Sequence, residues 1–195
     1  MDDFNVMEVF ENHEAIQRGH FILSSGLRSE FFIQKMKVFQ DTYVVQDLCD
    51  ELRIKVYAAI KDRITAVVSP AIGAMIPGYE MAKEMDYRRF MFTERENGVM
   101  KLRRGFKVYD TDQILIVEDI VTTGASVTDT IKAIHDVNPL AKILGIACII
   151  DRSNGFSIPG VPLISLGQIS FPTFSPDKIP EHLKNIPAVK PGSNF

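Results

Sequence analysis

From residue 42 onward, short apolar runs alternate with segments in which apolar residues recur every three or four positions. The segment 42–60 shows this helical spacing, which predicts a helix with one buried face. The runs ITAVVS (64–69), ILIV (114–117) and KILGIACII (142–150) have no polar alternation, which is typical of strands buried on both faces of a sheet. The alternation therefore predicts an α/β fold in which helices flank a parallel sheet on both faces.

The two ends of the chain do not follow this alternation. Residues 1–40 contain the extended segments GHFILSSG and SEFFIQKMKVF, and residues 171–195 are rich in proline. The length of 195 residues suits one domain with a sizeable core. We therefore expect a single domain, 1–195, made of a small N-terminal hood (1–40), an α/β core (41–170) and a C-terminal tail (171–195).

Charge, hydropathy and cysteine usage narrow the class of protein. The formal net charge of -3 gives no reason to expect non-specific binding to nucleic acid. No apolar run reaches the length of a membrane span, and the N-terminus MDDFNVMEVF is acidic rather than signal-like. Cys49 lies in a helical pattern and Cys148 in a strand pattern, which indicates small buried thiols in a reducing compartment. We expect a cytoplasmic protein with no membrane partner and no nucleic-acid partner.

The stretch EDIVTTGAS (118–126) concentrates chemical groups at a junction between a strand and a helix. We expect the strand to end at Glu118 and Asp119, at the carboxyl edge of the sheet where ligands of such folds bind. The backbone N–H groups of residues 122–126, at the start of the next helix, have no partners within the helix and favour an anion. Gly124 would let the backbone approach that anion closely.

The two acids and the hydroxyl-rich loop together predict the kind of ligand. Carboxylates repel a bare phosphate, but they suit the vicinal hydroxyls of a ribose, or a Mg²⁺ ion carried by a diphosphate. A ribose phosphate accounts for both features. The alternative is that Glu118 and Asp119 are solvated charges at a strand end, and that Thr-Thr-Gly only caps the following helix.

The segment EDIVTTGAS resembles the phosphoribosyl-diphosphate (PRPP) signature of type I phosphoribosyltransferases. Four further segments resemble parts of the orotate phosphoribosyltransferases, in the same order along the chain. They are GHFILSSGLRSEFF, VVSPAIGAMIPGYEMA, FTERENGVMKLRRGF and IIDRSNG. The resemblance is to the shorter bacterial and archaeal members, and it covers nearly the whole chain. It implies the type I phosphoribosyltransferase fold for this sequence.

The resemblance also implies an activity, which is synthesis of orotidine 5'-monophosphate and diphosphate from PRPP and orotate, in pyrimidine (UMP) biosynthesis. It assigns a catalytic role to Asp119, and contacts with orotate to Thr122 and Arg152. The PRPP-binding residues that it implies are Arg95, Glu118, Asp119, Ile120, Val121, Thr122, Thr123, Gly124, Ala125 and Ser126. Mg²⁺ would arrive on the diphosphate of PRPP, with no metal ion held by the chain itself, and the enzyme would be a homodimer.

The segment 95–104 is basic within an acidic protein. Its cationic residues are Arg95, Lys101, Arg103 and Arg104. The segment lacks a clean period, which predicts either a mobile loop or a hairpin, and its charge suits closure over a diphosphate. The alternative is a solvated hairpin whose basic residues bind no ligand. Lys101 is its only lysine and is the candidate that assists the leaving group. The Lys-Asp-His-Gly run of the longer enzymes is missing, and Gly73 and Ser24 stand where those enzymes have lysines.

Two other functions remain open at the level of sequence. A purine-base phosphoribosyltransferase would share the PRPP signature, but the hood and the segment DRSNG, where the base is chosen, weigh against it. A non-enzymatic PRPP-sensing regulator would share the fold, but the charge and length give no sign of a nucleic-acid-binding surface or domain.

In the hood, Phe31 and Phe32 could stack on a flat pyrimidine or could be core residues.

Overall fold

The computed structural model describes residues 4–23, 25–83 and 89–191 of the chain. The chain divides into two compact units. The larger unit contains Met1–Val6 and Thr42–Gln168, and the smaller unit contains Met7–Asp41 and Ile169–Phe195. The smaller unit thus combines segments from both ends of the chain. The organisation into one domain with a hood, a core and a tail stays a prediction.

The helices and strands of the described ranges follow one another in a mixed order. They are α1 (Val6–Asn12), β1 (Ile16–Ile22), β2 (Arg28–Ile33), α2 (Met36–Phe39), α3 (Thr42–Ala59), β3 (Ala66–Pro70), α4 (Met75–Lys83), β4 (Phe90–Glu96), β5 (Val99–Leu102), β6 (Gln113–Val121), α5 (Ala125–Val137), β7 (Lys142–Asp151), β8 (Leu163–Gln168), β9 (Thr173–Phe174) and α6 (Glu181–Lys184). None of the helices in these ranges is long and apolar enough to span a membrane.

The larger unit is built on a six-stranded sheet with the strand order β5-β4-β3-β6-β7-β8. Neighbouring strands are parallel except β4 and β5, which form an antiparallel hairpin at one edge. α3 and α4 pack against one face of the sheet, and α5 packs against the other. The predicted α/β fold with a flanked parallel sheet is therefore confirmed. Of the two structures that remained open for 95–104, the hairpin is the one observed.

Buried side chains in the larger unit follow the patterns from which its elements were predicted. α3 buries one face, which carries Val45, Leu48, Cys49, Leu52 and Val56. Each large aliphatic side chain in this face contributes roughly 1.5–3 kcal/mol by leaving water. β3 is buried at every position, because helices cover both faces of the sheet. α4 approaches β3 closely at Gly78, where a β-carbon would overlap the side chain of Ser69.

The smaller unit contains a three-stranded sheet with the order β1-β2-β9. β1 and β2 are antiparallel, with Ile16 opposite Ile33, and β9 joins β2 on its other edge. The extended structure predicted to continue to residue 39 was wrong at its end, because Met36–Phe39 forms the short helix α2. In a strand that is covered on one face only, adjacent side chains point to opposite faces, whereas this helical turn buries Val38 and Phe39 together.

Aromatic rings of the smaller unit pack against one another. Phe31 stacks on Phe171, with ring centroids 4.7 Å apart and an interplanar angle of 20°. Phe32 tilts against Phe21 at a centroid distance of 5.6 Å. The guanidinium of Arg18 lies 5.3 Å from the ring centroid of Phe31. Both Phe31 and Phe32 therefore contribute to packing within this unit, and stacking of either ring on a base stays a prediction.

Candidate active site

A pair of buried carboxylates lies inside β6 of the larger unit. The exposed fraction is 7% for Glu118 and 3% for Asp119. Glu118 Oε1 accepts a hydrogen bond from the N–H of Asp119 (3.1 Å), and Asp119 Oδ1 accepts one from the N–H of Ile120 (2.5 Å). Burial of two adjacent carboxylates is unfavourable for folding. Such a pair is a candidate functional site, because folding stability alone does not explain it.

The prediction that the strand ends at the two acids was wrong. β6 continues to Val121, and its parallel ladder pairs Glu118 with Cys148 and Val121 with Asp151 of β7. Continued backbone pairing with β7 overrides the weak preference of acidic residues for strands. Because side chains alternate along a strand, Glu118 and Asp119 leave the backbone on opposite faces of the sheet.

The loop between β6 and α5 is the candidate phosphate loop, residues 122–126. Gly124 is the N-cap residue of α5 and has a left-handed φ of 75°, without a side-chain capping bond. Thr122 and Thr123 are exposed, and Thr123 Oγ1 accepts a hydrogen bond from the N–H of Ala125 at 3.4 Å. The N–H groups of the first turn of a helix have no partner within it, and the helix dipole favours an anion there. The loop therefore has the geometry of an anion site.

The turn after β7 holds Arg152 beside the end of β6. The N–H of Arg152 donates to the carbonyl of Val121 at 2.8 Å. Asp151 is buried and shapes the turn, since its carboxylate accepts hydrogen bonds from the N–H of Ser153 (2.8 Å) and the amide of Gln168 (3.3 Å). Burial lowers the pKa of the Arg152 guanidinium, which nevertheless stays charged at neutral pH. The backbone of Arg152 thus lies one hydrogen bond away from the residue that precedes the phosphate loop.

The face of the β4–β5 hairpin that is turned toward α5 carries Arg95. Its guanidinium donates to Asp129 Oδ2 of α5 (2.7 Å) and to the carbonyl of Gly98 in the hairpin turn (2.9 Å). Two residues before Arg95, Thr93 of β4 shares a buried hydroxyl–hydroxyl hydrogen bond with Thr130 of α5. The hairpin is therefore attached to the helix that begins with the phosphate loop.

The other cations of the hairpin lie on its opposite face. Lys101 is the cross-strand partner of Glu94, so its side chain points away from the face that carries Arg95. Lys101 donates to Glu96 at 2.7 Å, Arg103 lies 2.7 Å from Glu96, and Arg104 donates twice to Glu94 at 3.0 and 2.9 Å. These hydrogen bonds hold the pKa values of Glu94 and Glu96 below their usual value. The structure therefore separates Lys101 from Arg95 and pairs each with an acid of the chain.

Comparison with known proteins gives the family. A phosphoribosyl transferase domain model matches residues 39–156. The orotate phosphoribosyltransferase of Maricaulis maris is 46% identical over 188 residues, which are 96% of this chain and 95% of that protein. The orotate phosphoribosyltransferase of Parvibaculum lavamentivorans is 47% identical over 193 residues, which are 99% of this chain and 98% of that protein. The chain belongs to the orotate phosphoribosyltransferase family.

Solved structures confirm the type I phosphoribosyltransferase fold. The orotate phosphoribosyltransferase from Aeropyrum pernix superposes with a TM-score of 0.65 at 21% identity, over 84% of this chain and 94% of that chain. An adenine phosphoribosyl transferase from Trypanosoma brucei superposes with a TM-score of 0.64 at 15% identity, over 86% of this chain and 81% of that chain. At such identities the likeness establishes the fold, which both kinds of phosphoribosyltransferase share.

The matched range of the phosphoribosyltransferase domain includes every residue that the sequence assigned to the site, from Arg95 to Arg152. The structure brings the phosphate loop, the acidic pair and the Arg152 turn together at the ends of β6 and β7. Lys101 is not part of this group of contacts, because it bonds to Glu96 within the hairpin.

Sequence reasoning missed several residues that contact the site. The spacing of Glu94 and Glu96 in TERE places both on one face of a strand, and this signal could have identified them as partners of the hairpin cations. Asp129 and Phe156 gave no local signal. The expectation for Gly124 was incomplete, because the space next to its α-carbon is filled by the ring of Phe156 rather than left for a ligand.

Proposed function

We propose that this chain transfers ribose 5-phosphate from PRPP to orotate, which gives orotidine 5'-monophosphate and diphosphate in pyrimidine biosynthesis. One observation carries the proposal, namely the buried pair Glu118 and Asp119 directly before the loop that opens α5. The names of relatives that are 46% and 47% identical over nearly the whole chain support the choice of orotate.

PRPP binds along residues 118–126, with Arg95 reaching it from the hairpin. The N–H groups of the loop and the hydroxyls of Thr122, Thr123 and Ser126 hold the 5'-phosphate. Glu118 and Asp119 accept hydrogen bonds from the ribose hydroxyls. Their burial supports this role, because a hydrogen bond to a carboxylate is stronger in a site from which water is excluded.

The transfer breaks the bond between the anomeric carbon and the diphosphate oxygen, and the electron pair leaves with diphosphate. A ring nitrogen of orotate forms the new bond to that carbon and releases its proton to water. The sugar carries positive charge in the transition state, and a fixed carboxylate nearby stabilises this charge. Asp119 is the residue to which we assign this role, because it is the more deeply buried of the two acids.

Departure of diphosphate requires positive charge around the leaving oxygens. Lys101 is our candidate for this role, and diphosphate would replace Glu96 as the partner of its ammonium group. The site also fits Mg²⁺ carried by PRPP, because Glu118 and Asp119 offer hard oxygen ligands and Mg²⁺ is usually held by one or two carboxylates together with substrate phosphates. The ion would supply charge neutralisation for the leaving group.

Orotate is recognised by Arg152 and Thr122. A planar guanidinium pairs with a carboxylate through two parallel hydrogen bonds, and orotate carries a carboxylate that purine bases lack. The hydrogen bonds that fix the backbone of the Arg152 turn support this assignment, since they hold residue 152 next to the residue that precedes the phosphate loop.

We also propose that the enzyme is cytoplasmic and that it is a homodimer. Size-exclusion chromatography with light scattering would test the homodimer by measuring its molar mass.

The test is an assay of orotate absorbance in the presence of PRPP and Mg²⁺, with adenine, hypoxanthine, xanthine and uracil in parallel. Consumption of orotate alone is expected. Asp119→Asn should lower kcat by about 10²–10³-fold, and Arg152→Ala should raise KM for orotate. Consumption of adenine would favour a purine enzyme, which the adenine phosphoribosyltransferase fold also accommodates. Binding of PRPP without reaction of any base would favour a PRPP-sensing regulator.

A further inference from the structure

The ring of Phe156 covers the α-carbon of Gly124 in the phosphate loop. A β-carbon at Gly124 would overlap three atoms of this ring, Cδ2, Cε2 and Cζ. The φ of 75° at Gly124 is also one that residues with a side chain rarely adopt. Glycine is therefore required at this position both by the backbone and by the contact with the ring.

Phe156 belongs to the turn that carries Arg152. The N–H of Phe156 donates to Ser153 Oγ at 3.1 Å, and the N–H of Ser153 donates to the carboxylate of Asp151 at 2.8 Å. Gly155, between them, has a φ of 103° that keeps the turn tight. The position of the Phe156 ring and the position of Arg152 are thus set by the same short hydrogen-bonded segment.

The ring of Phe156 is also anchored in the core. It packs against the buried cluster that includes Val121 at the end of β6 and Val127 in α5. These two residues flank the phosphate loop on either side. The ring therefore contacts the loop at Gly124 and packs against the cluster to which both flanking residues belong.

We propose that Phe156 is a positioning residue that couples the Arg152 turn to the phosphate loop, so that the base and phosphate ends of the nucleotide bind at a fixed separation. The inference rests on the proposed function, in which Arg152 contacts the base and residues 122–126 hold the phosphate. A bridging ligand gains affinity when its two subsites are preorganised, because less conformational freedom is lost on binding. A ligand that fills only one subsite gains little affinity from the contact between Phe156 and Gly124, because its binding does not depend on the separation of the two subsites.

The test compares ligands that fill one subsite with a ligand that fills both. Titration calorimetry would give dissociation constants for ribose 5-phosphate, for orotate and for orotidine 5'-monophosphate, with wild type and with Phe156→Leu. Leucine keeps apolar volume in the core but removes the flat face against Gly124. We expect the whole nucleotide to bind about tenfold more weakly and each half to change by less than about twofold, since a small misplacement penalises only a ligand held at both ends.

Two further variants separate positioning from simple loss of packing. Leu163→Ala removes an apolar side chain that packs against the same cluster but lies at the start of β8, outside both loops. It should bind all three ligands like the wild type. Phe156→Met fills the space with a flexible chain and should reproduce the effect of Phe156→Leu, which guards against misfolding of either variant.

The possible outcomes distinguish this inference from the proposed function. Equal weakening of the halves and of the whole nucleotide, or the same loss in Leu163→Ala, would overturn the role of Phe156. Normal binding of the nucleotide by both Phe156 variants would overturn it as well. Failure of the wild-type chain to bind orotidine 5'-monophosphate would contradict the proposed function itself.

Discussion

The hydroxyl oxygens of Thr93 on β4 and Thr130 on α5 lie 2.9 Å apart, and both side chains are fully buried. Two residues further along β4, Arg95 bonds to Asp129, the neighbour of Thr130. Two adjacent contacts, one buried and one exposed, therefore fasten the basic hairpin to the helix of the phosphate loop. The buried contact gives the clearer prediction for stability, because exposed ion pairs contribute little.

Thr93→Val and Thr130→Val should each destabilise the larger unit by about 1–3 kcal/mol, because each leaves one buried hydroxyl without its partner. The double variant should be less destabilised than the sum of the two, because neither hydroxyl then remains to be satisfied. Urea unfolding of the three variants measures this. Additive losses would show that the two hydroxyls do not depend on each other.

Lys101→Gln should lower kcat about a hundredfold, because a positive charge is removed from the departing diphosphate. Glu96→Gln breaks the same 2.7 Å ion pair from its other side and keeps the ammonium group, so its kcat should not fall. Steady-state kinetics with saturating orotate and PRPP compares the two. Equal losses in both variants would mean that the ion pair shapes the hairpin and that Lys101 has no direct role in the transfer.

The pKa values of the two hairpin glutamates, Glu94 and Glu96, should depend on different cations. The hydrogen bond from Arg104 lowers the pKa of Glu94, whereas the hydrogen bond from Lys101 and the charge of Arg103 lower the pKa of Glu96. Arg104→Gln should therefore raise the pKa of Glu94 toward 4.5 with little effect on Glu96, and Lys101→Gln should do the reverse. Carbon-detected NMR titration of the carboxyl groups resolves both.

The sign of this effect follows from the direction of the shifts. A carboxyl whose pKa is lower in the folded chain than in the unfolded chain stabilises the folded state at pH values above its unfolded pKa. The stabilisation by the hairpin pairs should therefore be fully present above pH 4.5 and be lost as the pH falls through the lowered pKa values of Glu94 and Glu96. Identical titration of both glutamates in the two variants would show that the ion pairs do not form in solution.

Cys49 and Cys148 should be unreactive in the folded protein. Both are free and buried, and burial raises the pKa of the Cys49 thiol to about 12 and raises that of Cys148 as well. An aromatic disulfide reagent at pH 8 should titrate neither thiol in the native protein and both in urea. Rapid reaction of a native thiol would contradict the buried positions.

The same two thiols give a prediction for alkaline pH. Unfolded cysteines ionise near the ordinary value of 9.0, whereas the folded thiols remain neutral well above it. Because the folded pKa values are raised, the stabilisation is fully present below pH 9 and decreases as the pH rises further. The urea concentration at the midpoint of unfolding should therefore decrease when the pH is raised from 9 to 11. The decrease should be smaller in a Cys49→Ser variant that still folds.

Local pattern was sufficient for α3 and for the buried strands of the α/β core. α3 was predicted because an apolar stripe at helical spacing needs a surface to cover, and β3 and β7 because unbroken apolar runs need cover on both faces. The phosphate loop was predicted for a similar reason, since the groups that hold an anion are consecutive in the chain.

The sequence by itself determined the α/β class, the place of the loop at residues 122–126 and the residue types that surround it. Only the tertiary structure decided that β6 continues past Glu118 and Asp119, that Lys101 pairs with Glu96 away from Arg95, and that Phe156 covers Gly124. The reason is physical. Helical and strand periods are local properties, whereas burial of a charge, choice of an ion-pair partner and contact between residues 32 positions apart depend on which strands become neighbours.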